Sequence, residues 1–105
     1  MKKLLTGKDR AALRADANRL TATVHVGQHG LSPSLITSLD DALRTRELVK
    51  VQLGRISDLS AKDAAEQLAG ATRSHVIQVI GRTTTLFREN PDLKHDSGGA
   101  PAWRV

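Results

Sequence analysis

Hydrophobic and polar positions along this 105-residue chain switch between a helical and an alternating period, and the switches divide it into short elements. From Thr6 to about Leu20 the residues Leu5, Ala12, Leu13, Ala17 and Leu20 fall on one broad face at a helical period. A first helix is expected there, with Thr6 as its N-cap. Thr23 to Val26 reads as a short strand. Ser32 is placed to cap a second helix, with Pro33 at the first helical position, where its missing N–H does no harm. Leu35, Ile36, Leu39, Ala42 and Leu43 supply the core face of that helix. From Glu47 to Leu53 the pattern alternates, Val49, Val51 and Leu53 on one side and Lys50 and Gln52 on the other, which predicts a strand with one buried face.

Gly54 to Leu59 reads as a loop, after which Ser60 and Asp63 form a capping-box pattern. Ala61, Ala64, Ala65, Leu68, Ala69 and Thr72 then share one helical face, and their small side chains predict a helix lying close against a sheet. His75 to Ile80 is rich in β-branched residues and is expected to be a strand buried on both faces. Gly81-Arg82 fits a two-residue hairpin turn, with Thr83 to Arg88 as the returning strand. Asn90-Pro91 ends ordered structure, and Ser97-Gly-Gly-Ala-Pro marks a flexible tail, so a domain over residues 1–89 and a tail over 90–105 are expected. The order αβαβαββ, with helices crossing between the early strands and a hairpin at the end, predicts an α/β fold with a mixed four-stranded sheet packed with helices.

One connection stands out. Val24 to Leu31, Val-His-Val-Gly-Gln-His-Gly-Leu, is a strand running into a Gly-x-x-Gly loop that opens the second helix. Glycines let the backbone bend and let another backbone come close, and a helix N-terminus favours an anion. A loop of this kind clamps the nucleic-acid backbone in KH domains, while a plain tight turn would use the same two glycines.

Charge favours the first reading. Residues 1–55 hold ten basic and five acidic side chains, residues 56–105 six of each, so the whole net charge of +5 lies in the half that contains the loop. That is the footprint expected for a polyanion, against the alternative of a solubilising surface. If the first helix begins early, Lys3, Arg10 and Arg14 stack along one flank, with Lys8 and Arg19 on the other; phosphate contact and a solvated helix face both fit them. Phe87 and Trp103 are the aromatic residues, too few for the stacking platforms of RRM, OB or cold-shock modules. Any nucleic acid would be gripped by its backbone and shape.

Other chemistries find little support. The absence of cysteine excludes disulfides, thiolate catalysis and Cys-ligated zinc, and suits a reducing cytoplasm. Met1-Lys-Lys-Leu-Leu begins like a signal peptide, but the apolar run ends at Gly7-Lys8-Asp9-Arg10 and no stretch approaches a membrane span. His25 and His29 have a metal-pair spacing that requires a helix, yet they straddle a strand and a loop, so no metal site is expected. Asp40-Asp41 and Glu66 form no acid/base pair, and no phosphate-loop, dinucleotide or nucleophile-elbow motif occurs. No enzyme activity, cofactor, small-molecule substrate or membrane partner is expected.

The same element order, together with Val-Gly-Gln-His-Gly-Leu at 26–31, Arg-Glu-Leu-Val-Lys-Val at 46–51 and Val-Ile-Gln-Val-Ile-Gly-Arg at 76–82 followed by Thr-Leu-Phe-Arg, resembles the YhbY family over about Leu5 to Arg88. These are stand-alone bacterial forms of the CRM (chloroplast RNA splicing and ribosome maturation) domain. The resemblance implies a fold similar to the C-terminal domain of bacterial translation initiation factor 3, and association with precursors of the large ribosomal subunit through rRNA. It implies that Gly27, Gln28, His29 and Gly30 form the RNA-facing loop, with Arg10, Arg14 and Lys50 as weaker candidates beside it. One departure is Arg73, where the family often has glycine: either Arg73 takes a left-handed conformation or the third helix stops at Gly70. The rival readings are a protein–protein adaptor on the same fold and a DNA-binding protein, the latter without a helix-turn-helix pattern to support it.

Overall fold

A computed structural model describes residues 5–27, 30–54 and 59–89. Its elements are α1 (Gly7–Ala17), β1 (Val24–Val26), α2 (Pro33–Arg46), β2 (Leu48–Leu53), α3 (Ala61–Thr72), β3 (His75–Ile80) and β4 (Thr83–Phe87), in the order αβαβαββ. They build a four-stranded mixed sheet ordered β1-β2-β4-β3. The α2 crossover makes β1 parallel to β2, with Val24 opposite Val51 and Val26 opposite Leu53. The final hairpin folds β4 between β2 and β3, antiparallel to both.

Both faces of the sheet are covered. On one, Val49, Val51, Leu53 and Leu86 meet Leu39 and Leu43 of α2 and Ala64, Leu68 and Ala69 of α3 in the main core. The small residues of α3 let it lie close to the strands. On the other face α1 lays Leu13 and Ala17 across Leu48, Ile77 and Phe87, with Leu5 packed alongside. The alternation in β2 therefore marks which residues face the main core, while Leu48 is buried on the opposite side.

The helix starts follow the caps. Thr6 and Asp9 close a reciprocal capping box, the Thr6 hydroxyl accepting from the Asp9 N–H at 3.1 Å and the Asp9 carboxylate from the Thr6 N–H at 3.1 Å. Ser32 accepts from the Leu35 N–H at 3.2 Å with Pro33 following, and Ser60 accepts from the Asp63 N–H at 3.1 Å.

Three sequence expectations change, and one open alternative is resolved. The first helix ends at Ala17, not near Leu20, because the chain must turn to enter β1. Arg19 and Leu20 donate to the carbonyls three residues back, and the Lys50 ammonium holds the Ala17 and Leu20 carbonyls at 3.2 and 3.3 Å. Leu20 is consequently 39% exposed rather than a core residue. Glu47 closes α2 instead of opening the strand: it is fully buried at φ 64, its N–H donating to the Leu43 carbonyl. Strand β3 is an edge strand in which Ile77 is buried and Ile80 is 62% exposed, because β4 takes the central place and α1 covers only part of that face. Ile77 lies at a bulge between Val76 and Gln78 and packs in the cluster under α1. Finally, α3 continues to Thr72 and Arg73 adopts the left-handed conformation, at φ 57 and ψ 42.

Candidate functional site

The glycine loop leaves the C-terminal end of β1 at the same end of the sheet as Gly54 and the β3–β4 turn. The backbones there are tied together: the Gly54 N–H donates to the Val26 carbonyl at 3.1 Å, the Leu53 N–H to the Arg82 carbonyl at 2.6 Å, and the Arg82 guanidinium to the Gly54 carbonyl. The loop thus springs from a braced rim.

Its two glycines do different work. The Gly30 N–H donates to the Gly27 carbonyl at 3.0 Å, closing a turn, and Gly30 sits at φ 66, which favours glycine. Gly27 is exposed, has no positive φ, and a methyl group placed on it would meet nothing within 4 Å. Nothing among the described residues gives Gly27 a reason to lack a side chain. Past the loop, α2 begins with no acidic residue in its first turn, leaving the positive end of its dipole unopposed. Gln28 and His29 lie outside the described residues, as do Lys3, the 90–105 segment and Trp103.

The cationic candidates separate by role. Arg14 is exposed on α1. Arg10 is half-buried and its guanidinium donates to the Val76 carbonyl at 3.1 Å, fastening α1 to the edge strand β3. Lys50 fastens the other end of α1 through the two carbonyls already named. Both residues therefore carry structural work that a polar flank in the sequence did not announce. His25 is exposed on β1, and among the described residues no group of three His, Cys, Asp or Glu is placed to hold a metal.

The acids of the basic half are largely occupied. Asp9 serves the capping box, Asp41 pairs with Arg44 at 3.0 Å, Asp40 pairs with Arg88 at 2.6 Å, and Glu47 is buried. The cations they leave at the surface include Lys8, Arg14, Arg19 and Arg46. Phe87 is 2% exposed, so it offers no stacking face. Among the described residues no helix is long and apolar enough to cross a membrane.

A cleft of about 480 Å³ opens beside the C-terminal end of α1, over the first half of β2, with Leu20, Leu48, Arg19 and Arg46 in its walls. Its signal in the sequence was faint: Leu20 falls on the apolar face of α1, yet lies past the helix end.

Comparison with known proteins is consistent across sequence and structure. The family model described as the CRS1 / YhbY (CRM) domain matches residues 5–88. The chain is 36% identical over 91 residues to YqeI of Bacillus subtilis, named as a probable RNA-binding protein, covering 87% of this chain and 95% of that one. It is 39% identical over 106 residues to MJ0652 of Methanocaldococcus jannaschii, similarly named, covering 99% of this chain and 78% of that protein. The solution structure of SAV1595 from Staphylococcus aureus superposes with a TM-score of 0.71 at 36% identity, over 85% of this chain and 93% of that one.

Proposed function

This chain belongs to the CRS1 / YhbY (CRM) domain family, and we propose that it is a non-catalytic, cytoplasmic RNA-binding protein that associates with precursors of the large ribosomal subunit. The Gly27–Gly30 loop presses against the phosphodiester backbone of structured rRNA, and exposed cations such as Arg14 fix the orientation by contacting further phosphates. Gln28 and His29, between the two glycines in the sequence, belong to the same RNA-binding segment. Arg10 and Lys50 contribute positive charge while holding α1 in place.

The observation that carries this reading is Gly27. It is exposed, its φ is not in the left-handed range, and no atom of the described residues excludes a side chain there. A glycine that the fold does not need is explained by something outside the fold approaching the backbone closely. The net charge confined to residues 1–55 and the names of the relatives in Bacillus and Methanocaldococcus, both probable RNA-binding proteins, support RNA as the partner.

The test is sedimentation of the protein with ribosomal particles through a sucrose gradient. Co-migration with large-subunit precursors, lost after RNase treatment and in high salt, is the expected result. Co-migration that survives both treatments would point instead to a protein–protein adaptor.

A further inference from the structure

The cleft beside α1 has a construction that backbone binding by the loop does not use. Strand β1 pairs only with Val51 to Leu53 of β2, and the last contact on its N-terminal side is the Thr23 N–H on the Lys50 carbonyl. The edge of β2 below that point is roofed by the turn that follows α1, and the cleft lies in the gap. Leu48, 5% exposed, and Leu20, 39% exposed, supply apolar wall. Arg19 and Arg46 stand at the cleft with no ion pair or side-chain hydrogen bond among the described residues. Lys50 adds a cation held in position by two carbonyls. Asp16, Thr21 and Thr23 complete the lining.

Apolar wall, guanidinium groups and a carboxylate in one cleft match no simple anion, because a phosphate would be repelled by Asp16. They match a unit that is flat and apolar on its faces, carries hydrogen-bond donors on its edge and is anionic at one end. We propose that this cleft receives a single nucleotide extruded from the bound RNA chain. The base lies against Leu20 and Leu48, its edge meets Asp16 and the two threonines, and its phosphate meets Arg19 and Arg46. A carboxylate accepts from an N–H donor on a base edge, as it does from cytosine N4, which is the role left to Asp16. The volume falls in the range of small-molecule pockets.

The fold also connects this cleft to the loop. Thr23 and Gly27 bracket β1 and are about 13 Å apart at about 3.3 Å per residue, a span that one RNA strand covers. The inference rests on the RNA-binding reading above and adds a base-recognising site to a backbone clamp.

The experiment is an amide-resolved NMR titration of the full ¹⁵N-labelled chain with a mixed-sequence single-stranded RNA, and with the matching abasic ribose-phosphate chain. With RNA, amides of Gly27 and Gly30 and those of Leu20, Thr21, Thr23 and Leu48 should shift. With the abasic chain the cleft amides should stay still. Wild type should bind RNA at least about fivefold more tightly than the abasic chain, as expected when apolar side chains cover one base face and its edge makes a hydrogen bond. Leu20→Asn, a change at a partly exposed position, should narrow that preference toward unity. Loop shifts without cleft shifts, an equal cleft response to the abasic chain, or an unchanged preference in Leu20→Asn would each overturn the inference while leaving the RNA-binding reading intact. No shift anywhere with either chain would overturn both. Saturation of the cleft by free nucleoside monophosphates, with no cleft response to RNA, would assign it to a free nucleotide and likewise overturn the inference.

Discussion

Gly27 and Gly30 are the same residue three positions apart, and only backbone geometry separates them: Gly30 needs a positive φ, whereas Gly27 does not. The pair was legible in the sequence as a motif, but which of the two glycines the turn requires was not, because φ is set by the whole connection. Arg73 shows the converse. The choice between a left-handed arginine and an earlier helix end was open in the sequence; α3 keeps its full length and Arg73 takes φ 57. Side chains other than glycine are strained there, and Arg73 is exposed. Arg73→Gly should therefore stabilise the fold, by about 0.5–1 kcal/mol after allowing for the greater freedom of glycine in the unfolded chain. Thermal denaturation reads this as a rise of a few degrees in Tm. A lower Tm would mean that the arginine side chain compensates for its backbone.

At the scale of elements, all three helices and all four strands were legible from period and caps, since each element's own residues carry that information. What local pattern does not carry is which strand lies at an edge. The β-branched run of β3 looked doubly buried, but β4 folds back into the centre and leaves β3 outside. The end of α1 was lost for a similar reason, because its terminating partner, Lys50, lies on another element. Lys50, a weaker RNA-contact candidate on the polar side of β2, also holds the helix end with its ammonium. Lys50→Met keeps the apolar stem and removes those bonds. It should cost about 1 kcal/mol, below the full value of charge-assisted bonds because the site is partly solvated. Amide hydrogen exchange around Ala17 to Leu20 should quicken with it. Unchanged exchange there would show that the turn after α1 stands without the lysine.

Across the whole molecule, ten basic side chains face five acidic ones in residues 1–55, and most of those acids are paired, capped or buried. The charge asymmetry was visible in the sequence, but the neutralisation of the acids by Arg44 and Arg88 depends on folding. If about five phosphates are neutralised, the logarithm of affinity for single-stranded RNA should fall against the logarithm of salt concentration with a slope of roughly −3.5, at about −0.7 per phosphate. A slope near zero would favour a protein partner. The central claim is that RNA backbone closes onto the glycine loop, and Gly27→Asp addresses it most directly. The position has open space around it and no positive φ, so Tm should stay near that of wild type. The added side chain blocks close approach and its charge repels phosphate, so an rRNA binding titration should show a loss of at least about tenfold, or about 1.4 kcal/mol. A folded Gly27→Asp protein that binds rRNA with wild-type affinity would contradict the account.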